Sequence, residues 1–427
     1  TDSPKGMCTT FLVYKIINRL KKENVDFLDF PNLVRFNPNI PWKTRGNGAV
    51  GLKISTDNPK KIKNIVKQYV KQYSDVQNGA NPGIVFCQDE KIPEDFYKLS
   101  SDALWKLIHR NDAKKILSKH NLDFFYLGNG QGLVGATSIL GYHFEDQTYE
   151  LLSYRKLSQF GKKRSLDKSK VKKMQEKTYP NTFNSFDLNK NKILIMPHGP
   201  DPVFYGVRGE NTQTLISASK MIQPKEKLDG YLIFKSNQGT GDHLKNKINV
   251  NDFLPYTSGI LSGTVDSKPV ITKGGHVFFT IFAENKKIHC AVYKPTKITN
   301  IAKELIIGDE IEVGGGIRKS TRTLPRILNL ELIKILKLAK KTKSVNPLCL
   351  KCKKRMKSKG KNQGFQCKIC KKISSKKESQ IISRTIKKQL YIPDVSAHRH
   401  LTKPLQRMNL KSKTEKFDPN SKWFSNF

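Results

Sequence analysis

The chain has 427 residues, which is too long for one hydrophobic core and predicts a multidomain protein of about three units. Its 78 Lys and Arg residues outnumber 36 Asp and Glu residues, and the net charge of +42 favours a polyanionic partner, above all nucleic acid. The sequence has no apolar run long enough to span a bilayer and no signal-peptide pattern, so we expect a cytoplasmic protein without membrane contact.

The first ten residues, TDSPKGMCTT, form a polar turn before an amphipathic helix. Val13, Ile16, Ile17 and Leu20 recur at three- and four-residue spacing, which predicts that helix. Free N–H groups at a helix start favour an anion, and the carboxylate of Asp2 suits a metal. The turn therefore predicts a site for phosphate and metal, although an ordinary capped helix has the same hydroxyl-rich start.

Strand and helix signals alternate through the first third of the chain. GAVGLKIS and the buried run GIVFCQ are predicted strands, and Ile62–Tyr73 is a predicted helix between them. Two more helices are predicted at Ala103–His109 and Lys114–Lys119. This alternation favours a mixed α/β domain.

A glycine-rich loop follows the predicted strand DFFY and precedes another helix. Gly130, Gly132 and Gly135 fit the G-x-G-x-x-G pattern of a dinucleotide-binding turn, but Glu150 begins the next strand instead of ending it. We therefore predict a phosphate or ATP contact at Gly130 and Gly132 in preference to a nicotinamide or flavin site. Close helix packing through the glycines is the structural alternative.

A second loop, HGPDPVFYGVRGE, places carboxylates beside an aromatic ring. Asp201, Tyr205 and Glu210 lie among prolines and glycines that favour rigid turns. Such groups suit a small organic cation through charge pairing and cation–π contact. A solvated turn with a packed tyrosine is the alternative interpretation.

From about Leu228 the pattern becomes all-β, beginning with YLIFKSN and interrupted by one short helix near Ile298 to Leu305. A helix before the fourth strand of a barrel is typical of an OB-fold, which commonly binds single-stranded nucleic acid. The polar stretch SNQGTGDH, from Ser236 to His243, is either a contact loop or an unspecialised turn.

Four cysteines form a C-x2-C-x14-C-x2-C pattern, which predicts a closed tetrahedral zinc site in a ribbon. The ligands are Cys349, Cys352, Cys367 and Cys370. Since four cysteines leave no open position, the zinc is expected to be structural. The three other cysteines are scattered, which favours a reducing compartment over a disulfide framework.

The last part of the chain is strongly basic, with 25 basic and 4 acidic residues from Lys340 to Phe427. It ends in KWFSNF, where Trp423, Phe424 and Phe427 are predicted to stack on bases. A disordered tail is the alternative.

Taken in order, these motifs resemble the archaeal tRNA(Ile) 2-agmatinylcytidine synthetases. The resemblance rests on TDSPKGMCTT, NPNIPWKTRGNGAV, GNGQGLVGA, GPDPVFYGVRGE and SNQGTGDH, followed by the OB-like barrel and the four-cysteine ribbon. It covers nearly the whole chain and implies a multidomain α/β and α+β fold. The implied units are a kinase-like ATP-binding domain (1–120), a ferredoxin-like domain (121–225), an OB-fold β-barrel (226–345), a zinc ribbon (346–374) and a basic tail (375–427).

The resemblance implies a ligase that uses ATP to join agmatine to the 2-position of the wobble cytidine in a tRNA(Ile) with a CAU anticodon. The anticodon then reads AUA instead of AUG. Phosphorylation of the cytidine 2-oxo group would first turn a poor leaving group into phosphate. Because phosphoryl transfer needs positioning and charge neutralisation, ATP and Mg²⁺ are implied beside the structural Zn²⁺.

The resemblance also implies roles for individual residues. Asp2 would hold magnesium, and Thr9 matches a threonine that accepts a phosphoryl group in the family. Agmatine is expected at Asp201, Tyr205 and Glu210. Further ATP contacts are expected from the opening turn and two loops: Lys5, Gly6, Met7, Cys8, Thr10, Lys43, Arg45, Asn47, Gly130 and Gly132.

The family motif begins with two further aspartates immediately before Thr1, so we expect that residues preceding Thr1 are missing from this sequence. The alternative function is a non-catalytic nucleic-acid-binding factor built on the barrel and the ribbon. That function explains the charge and the cysteines but not the opening turn. Nucleic-acid binding without ATP consumption would distinguish it from a synthetase.

Overall fold

The computed structural model describes residues 1–43, 45–88, 91–412 and 414–427. The helices of these residues are α1 (Thr9–Leu20), α2 (Pro59–Tyr73), α3 (Glu94–Ala103), α4 (Arg110–Lys119), α5 (Leu133–Ser138), α6 (Lys168–Thr178), α7 (Thr212–Ile222) and α8 (Thr299–Ala302). Within the described ranges, none of the helices combines the length and the apolar character needed to cross a membrane.

A seven-stranded sheet forms the framework of the first half of the chain. Its strands are β2 (Asn32–Arg35), β3 (Gly48–Gly51), β7 (Thr148–Arg155), β8 (Thr182–Phe183), β11 (Val203–Gly209), β12 (Leu228–Ser236) and β25 (Phe424–Asn426). The path runs β3-β2-β12-β7-β11-β8, and β25 adds to β12. Within this sheet, β2 and β12 pair in parallel and the other strand pairs are antiparallel. The register of β7 and β11 sets Glu150 opposite Arg208.

Helix α1 packs on this sheet as its apolar spacing predicts. Phe11, Ile17 and Leu20 are fully buried in the main core. The hydroxyl of Tyr154 on β7 donates to the carbonyl of Thr10 at 3.0 Å, which fixes the start of the helix against the sheet. The end of the opening turn is thereby held against β7, an inner strand of the sheet.

Three short two-stranded sheets lie outside the main sheet in this half of the chain. They pair β1 (Asp26–Phe27) with β4 (Ile54–Ser55), β5 (Gly83–Phe86) with β6 (Asp123–Tyr126), and β9 (Phe186–Asp187) with β10 (Lys192–Ile193). The segment GAVGLKIS is therefore two strands in two sheets. The predicted helix Ala103–His109 is wrong, because α3 places its apolar face upstream at Phe96, Leu99 and Ala103.

A closed five-stranded barrel follows, as the all-β pattern predicts. Its five strands are β13 (Ser258–Val265), β15 (Val277–Ala283), β16 (Lys286–Val292), β17 (Glu310–Arg318) and β18 (Ile327–Lys337). Two short strands add to them from outside: β14 (Val270–Ile271) pairs with β15, and β24 (Leu390–Tyr391) pairs with β18. The order β13-β17-β18-β16-β15 closes through β13 and β15, while β14 pairs only with β15. The strand YLIFKSN is not part of the barrel: it is β12, and its continuous apolar run suits a strand buried on both faces.

The ribbon and the tail complete the chain. The ribbon contains a three-stranded sheet of β20 (Lys357–Ser358), β21 (Phe365–Gln366) and β22 (Ile373–Ser374). A two-stranded sheet flanks it, formed by β19 (Thr342–Val345) and β23 (Glu378–Ile381). The tail then returns to the main sheet as β25. Trp423 is 1% exposed, and its ring centroid lies 5.3 Å from that of Phe27 and 5.5 Å from that of Phe417. Stacking of Trp423 on bases is therefore wrong, because the tail uses this ring to dock on its own protein.

Candidate functional site

A cavity of about 610 Å³ opens between the opening turn, the main sheet and the segment 395–401 of the tail. Cationic side chains on its walls outnumber carboxylates two to one. The cations are Arg35, Lys43, Arg45, Lys192, Arg208 and Arg399, and the carboxylates are Asp2, Glu150 and Asp201. This excess of positive charge suits a ligand with several negative charges.

The opening turn contributes hydroxyls and a helix start to the cavity. Ser3 and Gly6 close the turn, with the N–H of Ser3 donating to the carbonyl of Gly6 at 2.9 Å. Cys8 precedes α1 without a side-chain cap, and the hydroxyls of Thr1 and Thr9 are in direct contact. The first N–H groups of α1 are therefore not capped by the Cys8 side chain, as an anion site requires.

Arg45 joins the turn to the loop around Asp201. Its Nε lies 3.3 Å from Oδ2 of Asp2, and its Nη1 lies 3.1 Å from Oδ2 of Asp201. Arg164 contacts the same loop, and its Nη1 donates to the carbonyl of Gly199 at 2.8 Å. Burial raises the pKa of Asp201 above its ordinary value, although Arg45 and Arg164 oppose the rise. Asp201 is thus a buried carboxylate that already accepts guanidinium groups.

The structure brings most of the predicted substrate contacts together. Eight of them line the cavity: Asp2, Cys8, Thr9, Thr10, Lys43, Arg45, Asn47 and Asp201. Lys5, Gly6 and Met7 lie in the same turn but outside the cavity wall. Gly6 and Met7 face Arg45 with their carbonyl oxygens, which accept from its Nη2.

Gly130 and Gly132 lie outside the cavity, beside the paired strands β5 and β6. The N–H of Gly132 donates to the carbonyl of Asn81 at 2.9 Å, and a Cβ at Gly132 would lie 2.5 Å from the backbone N of Gly83. A Cβ at Gly130 would lie 2.9 Å from the ring of Tyr126. These glycines allow their loop to pack closely on the β5–β6 pair, and neither glycine lines the cavity.

Tyr205 and Glu210 are also apart from Asp201. Tyr205 belongs to the main core, where burial raises the pKa of its hydroxyl. Glu210 lies beyond the end of β11, with Oε1 2.5 Å from Nε of Arg407 in the tail. The alternation of side chains along β11 explains the position of Tyr205, since Gly206 and Arg208 line the cavity. Glu210 follows the end of this strand and pairs with the tail instead. The three residues therefore do not form one cation site.

Sequence reasoning missed a closed ring of four side chains at the cavity. Glu150, Arg208 and His400 line the cavity, and Gln238 lies behind them. Oε1 of Glu150 accepts from Nε of Arg208 at 2.9 Å, and Oε2 accepts from Nε2 of Gln238. Oε1 of Gln238 lies 2.8 Å and Nη2 of Arg208 3.0 Å from Nδ1 of His400. Arg35, burial and Arg208 hold the pKa of His400 well below its ordinary value. His400 is therefore neutral in this cationic surrounding.

Two sequence features point to this ring. Glu150 is a carboxylate inside an otherwise uncharged stretch of a buried strand, TYELLSY. The motif SNQGTGDH is fully polar at buried positions, and Asn237 in it holds the backbone of Arg35 through two hydrogen bonds of 2.8 and 2.9 Å. None of the residues of this motif is among those that line the cavity, so the motif supports the site from behind.

The four cysteines converge as their spacing predicts. Their Sγ atoms all lie within 4.8 Å of one another, and those of Cys349 and Cys370 are 3.4 Å apart. Backbone N–H groups of Cys370 and Ile369 lower the pKa of Cys367 to about 6, which favours the thiolate. Four such ligands fit a tetrahedral zinc ion and leave no open coordination position.

Comparison with known proteins decides the family. Three family models match this chain: the TiaS TCKD domain at 1–62, the TiaS FLD domain at 130–243 and the TiaS C-terminal zinc ribbon domain at 346–386. The 2-agmatinylcytidine synthetase TiaS of Cenarchaeum symbiosum (strain A), which acts on an isoleucine tRNA, is 45% identical over 427 residues, which cover all of this chain and 95% of that protein. The chain belongs to the TiaS family.

Two solved TiaS structures are similar over 98% of both chains. One is the crystal structure of a TiaS complex with an isoleucine tRNA and ATP, with a TM-score of 0.86 and 33% identity. The other is a TiaS complex with an isoleucine tRNA, AMPCPP and agmatine, with a TM-score of 0.83 and 31% identity. The TiaS family models cover the opening turn, Glu150, Arg208 and Gln238, whereas His400 lies outside all three matched ranges.

Proposed function

We infer that this protein is a tRNA(Ile) 2-agmatinylcytidine synthetase. It uses ATP to join agmatine to the 2-position of the wobble cytidine in a tRNA(Ile) with a CAU anticodon, which changes codon reading from AUG to AUA. The observation that carries this conclusion is the full-length similarity to a TiaS protein solved with an isoleucine tRNA, AMPCPP and agmatine. The cytoplasm is the expected compartment for such an enzyme.

The opening turn and the loop after β2 are the proposed ATP site. Thr9, Lys43, Arg45 and Asn47 line one cavity with uncapped N–H groups of α1, which suits a triphosphate. Lys5, Gly6, Met7, Cys8 and Thr10 complete the turn. We leave Gly130 and Gly132 out of the proposed site, because they pack on the β5–β6 pair and do not line the cavity.

Asp2 is the proposed magnesium ligand. Asp2 and Asp201 both line the cavity and both contact Arg45, and carboxylate oxygens are ligands that Mg²⁺ prefers. When bound, magnesium would neutralise phosphate charge. Arg45 offers the same neutralisation from the protein, since its guanidinium lies between the opening turn and the cavity.

Asp201 is the proposed agmatine contact. It accepts the guanidinium of Arg45 and lies 3.8 Å from that of Arg164, and the guanidinium end of agmatine has the same donors. We do not extend the agmatine site to Tyr205 and Glu210, because one is a core residue and the other pairs with the tail.

The chemistry that the cavity supports is phosphoryl transfer followed by substitution. The oxygen of cytidine is a poor leaving group, and a phosphoryl group on it leaves as phosphate when the amine attacks. The cationic wall lowers the cost of concentrating phosphate charge, which is the main requirement for such a transfer. Thr9 is proposed as the phosphoryl acceptor of the family pattern.

We propose that the remaining units grip the tRNA. The kinase-like and ferredoxin-like domains of the family are assigned to 1–120 and 121–225, with β12 and the docked tail added to their sheet. The barrel and the ribbon, at 237–345 and 346–374, would bind the tRNA body, and the net charge supports this role. The flexible wobble base would then enter the cavity from its stack.

The test is mass spectrometry of the wobble nucleoside after incubation with CAU-anticodon tRNA(Ile), ATP and labelled agmatine. We expect label in that nucleoside only when all three substrates are present. Tight tRNA binding without label would instead support a non-catalytic nucleic-acid-binding factor.

A further inference from the structure

Arg35 places a buried guanidinium at the cavity without a complete set of partners. Its Nε is buried and has no hydrogen-bond partner among the residues that the structure describes. Its backbone is rigid, because Asn237 accepts from the Arg35 N–H and donates to its carbonyl. A buried donor without a partner is costly, and a ligand that accepts hydrogen bonds would satisfy it.

Two side chains converge beside the backbone of Gly46. A Cβ at Gly46 would lie 2.6 Å from Nη1 of Arg35 and 3.3 Å from Nε2 of His400. A Cβ at Gly48 would lie 3.3 Å from the same Nη1. The lack of side chains at these glycines therefore lets the loop backbone pack closely against the guanidinium and the imidazole, and all four residues line the cavity.

The charges around this point favour an anion. Glu150 on β7 is the carboxylate of the ring, and it pairs with Arg208 on β11. The cations Arg35 on β2, Lys43 in the following loop and Arg208 all act on His400. Asp2 also acts on Arg35, so two carboxylates face three cations. The imidazole adds a fourth site that gains a positive charge when an anion binds.

We propose that Arg35, Arg208 and His400 form a phosphate subsite beside Gly46, and that the C-terminal tail completes the catalytic cavity by placing His400 there. The inference rests on the proposed function and extends it, because a tail residue then becomes part of the substrate site. The ligand is a phosphate group, which either ATP or the tRNA backbone provides.

Phosphate binding makes His400 an imidazolium. The cations that keep it neutral are then compensated by the phosphate charge, and the proton comes from solvent. Nδ1–H donates to Oε1 of Gln238, whose amide orientation is fixed because its Nε2 must face the carboxylate of Glu150. Nη2 of Arg208 lies 3.0 Å from the same Nδ1 and can no longer donate to it, so this Arg208 N–H turns to the phosphate. Nε2–H then donates to the phosphate. The subsite therefore couples ligand binding to proton uptake.

The test is titration calorimetry of the full chain at about pH 7.5 in two buffers of different ionisation enthalpy, neither of them phosphate. One arm uses Mg-ATP and the other uses CAU-anticodon tRNA(Ile). The difference in heat between the buffers gives the protons taken up on binding. We expect uptake of up to about one proton per ligand in one arm, because the His400 pKa rises on binding.

His400→Gln keeps a hydrogen-bond donor but cannot titrate. It should abolish the uptake and weaken the same ligand by about tenfold to a hundredfold, the usual effect of losing a charge-assisted hydrogen bond. Gly46→Ala should weaken binding of that ligand as well, because its methyl group would displace the guanidinium of Arg35 and crowd the ring of His400 without changing a charge. His109→Gln, at an exposed histidine outside the cavity, is the matched control and should behave as the wild type.

Each outcome decides between sources or against the site. Effects in the ATP arm assign the subsite to the triphosphate, and effects in the tRNA arm assign it to the RNA backbone. Equal uptake and affinity in the wild type, His400→Gln and Gly46→Ala overturn the proposal. Failure of the wild type to form labelled nucleoside refutes the proposed function instead, and the binding data remain independent of that result.

Discussion

Arg407 holds the tail on the catalytic sheet, and its substitution tests whether the tail belongs to the cavity. Its fully buried guanidinium has Nη2 2.9 Å from Oδ1 of Asp146 and Nε 2.5 Å from Oε1 of Glu210. Nη1 donates to the carbonyl of Gly239 at 2.6 Å, and the cation lies 5.6 Å from the ring centroid of Phe183. Arg407→Met keeps much of the volume but removes all of these polar contacts.

The expected cost follows from the two carboxylates that lose their partner. Removing one member of a buried ion pair typically costs about 3–5 kcal/mol. The lower figure applies here, because Nζ of Lys403 remains 3.0 Å from Oδ2 of Asp146. A loss of about 3 kcal/mol raises the population of the undocked tail about a hundredfold.

Hydrogen exchange at two amides measures this docking. The N–H groups of Gly239 and Gly241 donate to the carbonyls of His400 and Leu401, each at 2.8 Å. In Arg407→Met these amides should exchange about a hundredfold faster, and agmatine conjugation should fall with them. Unchanged exchange at both amides would refute the reasoning.

Arg384→Met is the matched control. Arg384 is also a buried arginine, and its Nη2 lies 2.8 Å from Oδ2 of Asp309 beside the barrel. Its loss should destabilise the barrel and leave exchange at Gly239 and Gly241 unchanged. Equal acceleration in both variants would mean that the tail responds to general destabilisation instead of to Arg407.

Three further predictions concern the opening turn, the ribbon and pH. Thr9→Ala or Asp2→Asn should abolish nucleoside labelling while tRNA affinity in a filter-binding assay changes by less than about threefold, because phosphate site and tRNA grip are separate. Replacing Cys349 and Cys352 by serine should remove bound zinc, measured by elemental analysis, and weaken tRNA binding, since the metal carries the fold of such a module. Burial alone would raise the pKa of Asp146, but Arg407 and Lys403 hold it below its ordinary value of 3.8. The stability that this carboxylate contributes is complete above that value. The protection factor of the Gly239 amide, which corrects its exchange rate for the intrinsic effect of pH, should therefore fall as the pH drops below about 4.

Clear results would contradict each of these. Labelled nucleoside from Thr9→Ala would remove Thr9 from the reaction. Wild-type tRNA affinity in a zinc-free cysteine variant would assign the ribbon another partner. A docked tail that is insensitive to acid would show that Asp146 does not contribute to its stability as an ionised group.

Local pattern was sufficient where one short segment carries the whole signal. The three- and four-residue spacing of Val13, Ile16, Ile17 and Leu20 predicted α1, because an amphipathic face is a property of one helix. The spacing of Cys349 and Cys352 with the second cysteine pair likewise predicted a converging ligand set, because two knuckles impose it. The closed barrel followed from its strand pattern and single helix.

Tertiary structure alone decided which distant residues meet at the cavity. Asp201, Tyr205 and Glu210 are close in sequence, but an extended strand separates their side chains, and Glu210 pairs with Arg407 almost two hundred residues later. Gly130 and Gly132 fit a phosphate-binding pattern. Glycine is required both where a backbone approaches a phosphate and where it packs closely on another segment, so the sequence could not distinguish the two uses. His400 reaches Arg208 only because Trp423 and Arg407 dock the tail, and such long-range contacts leave no periodic trace in the sequence.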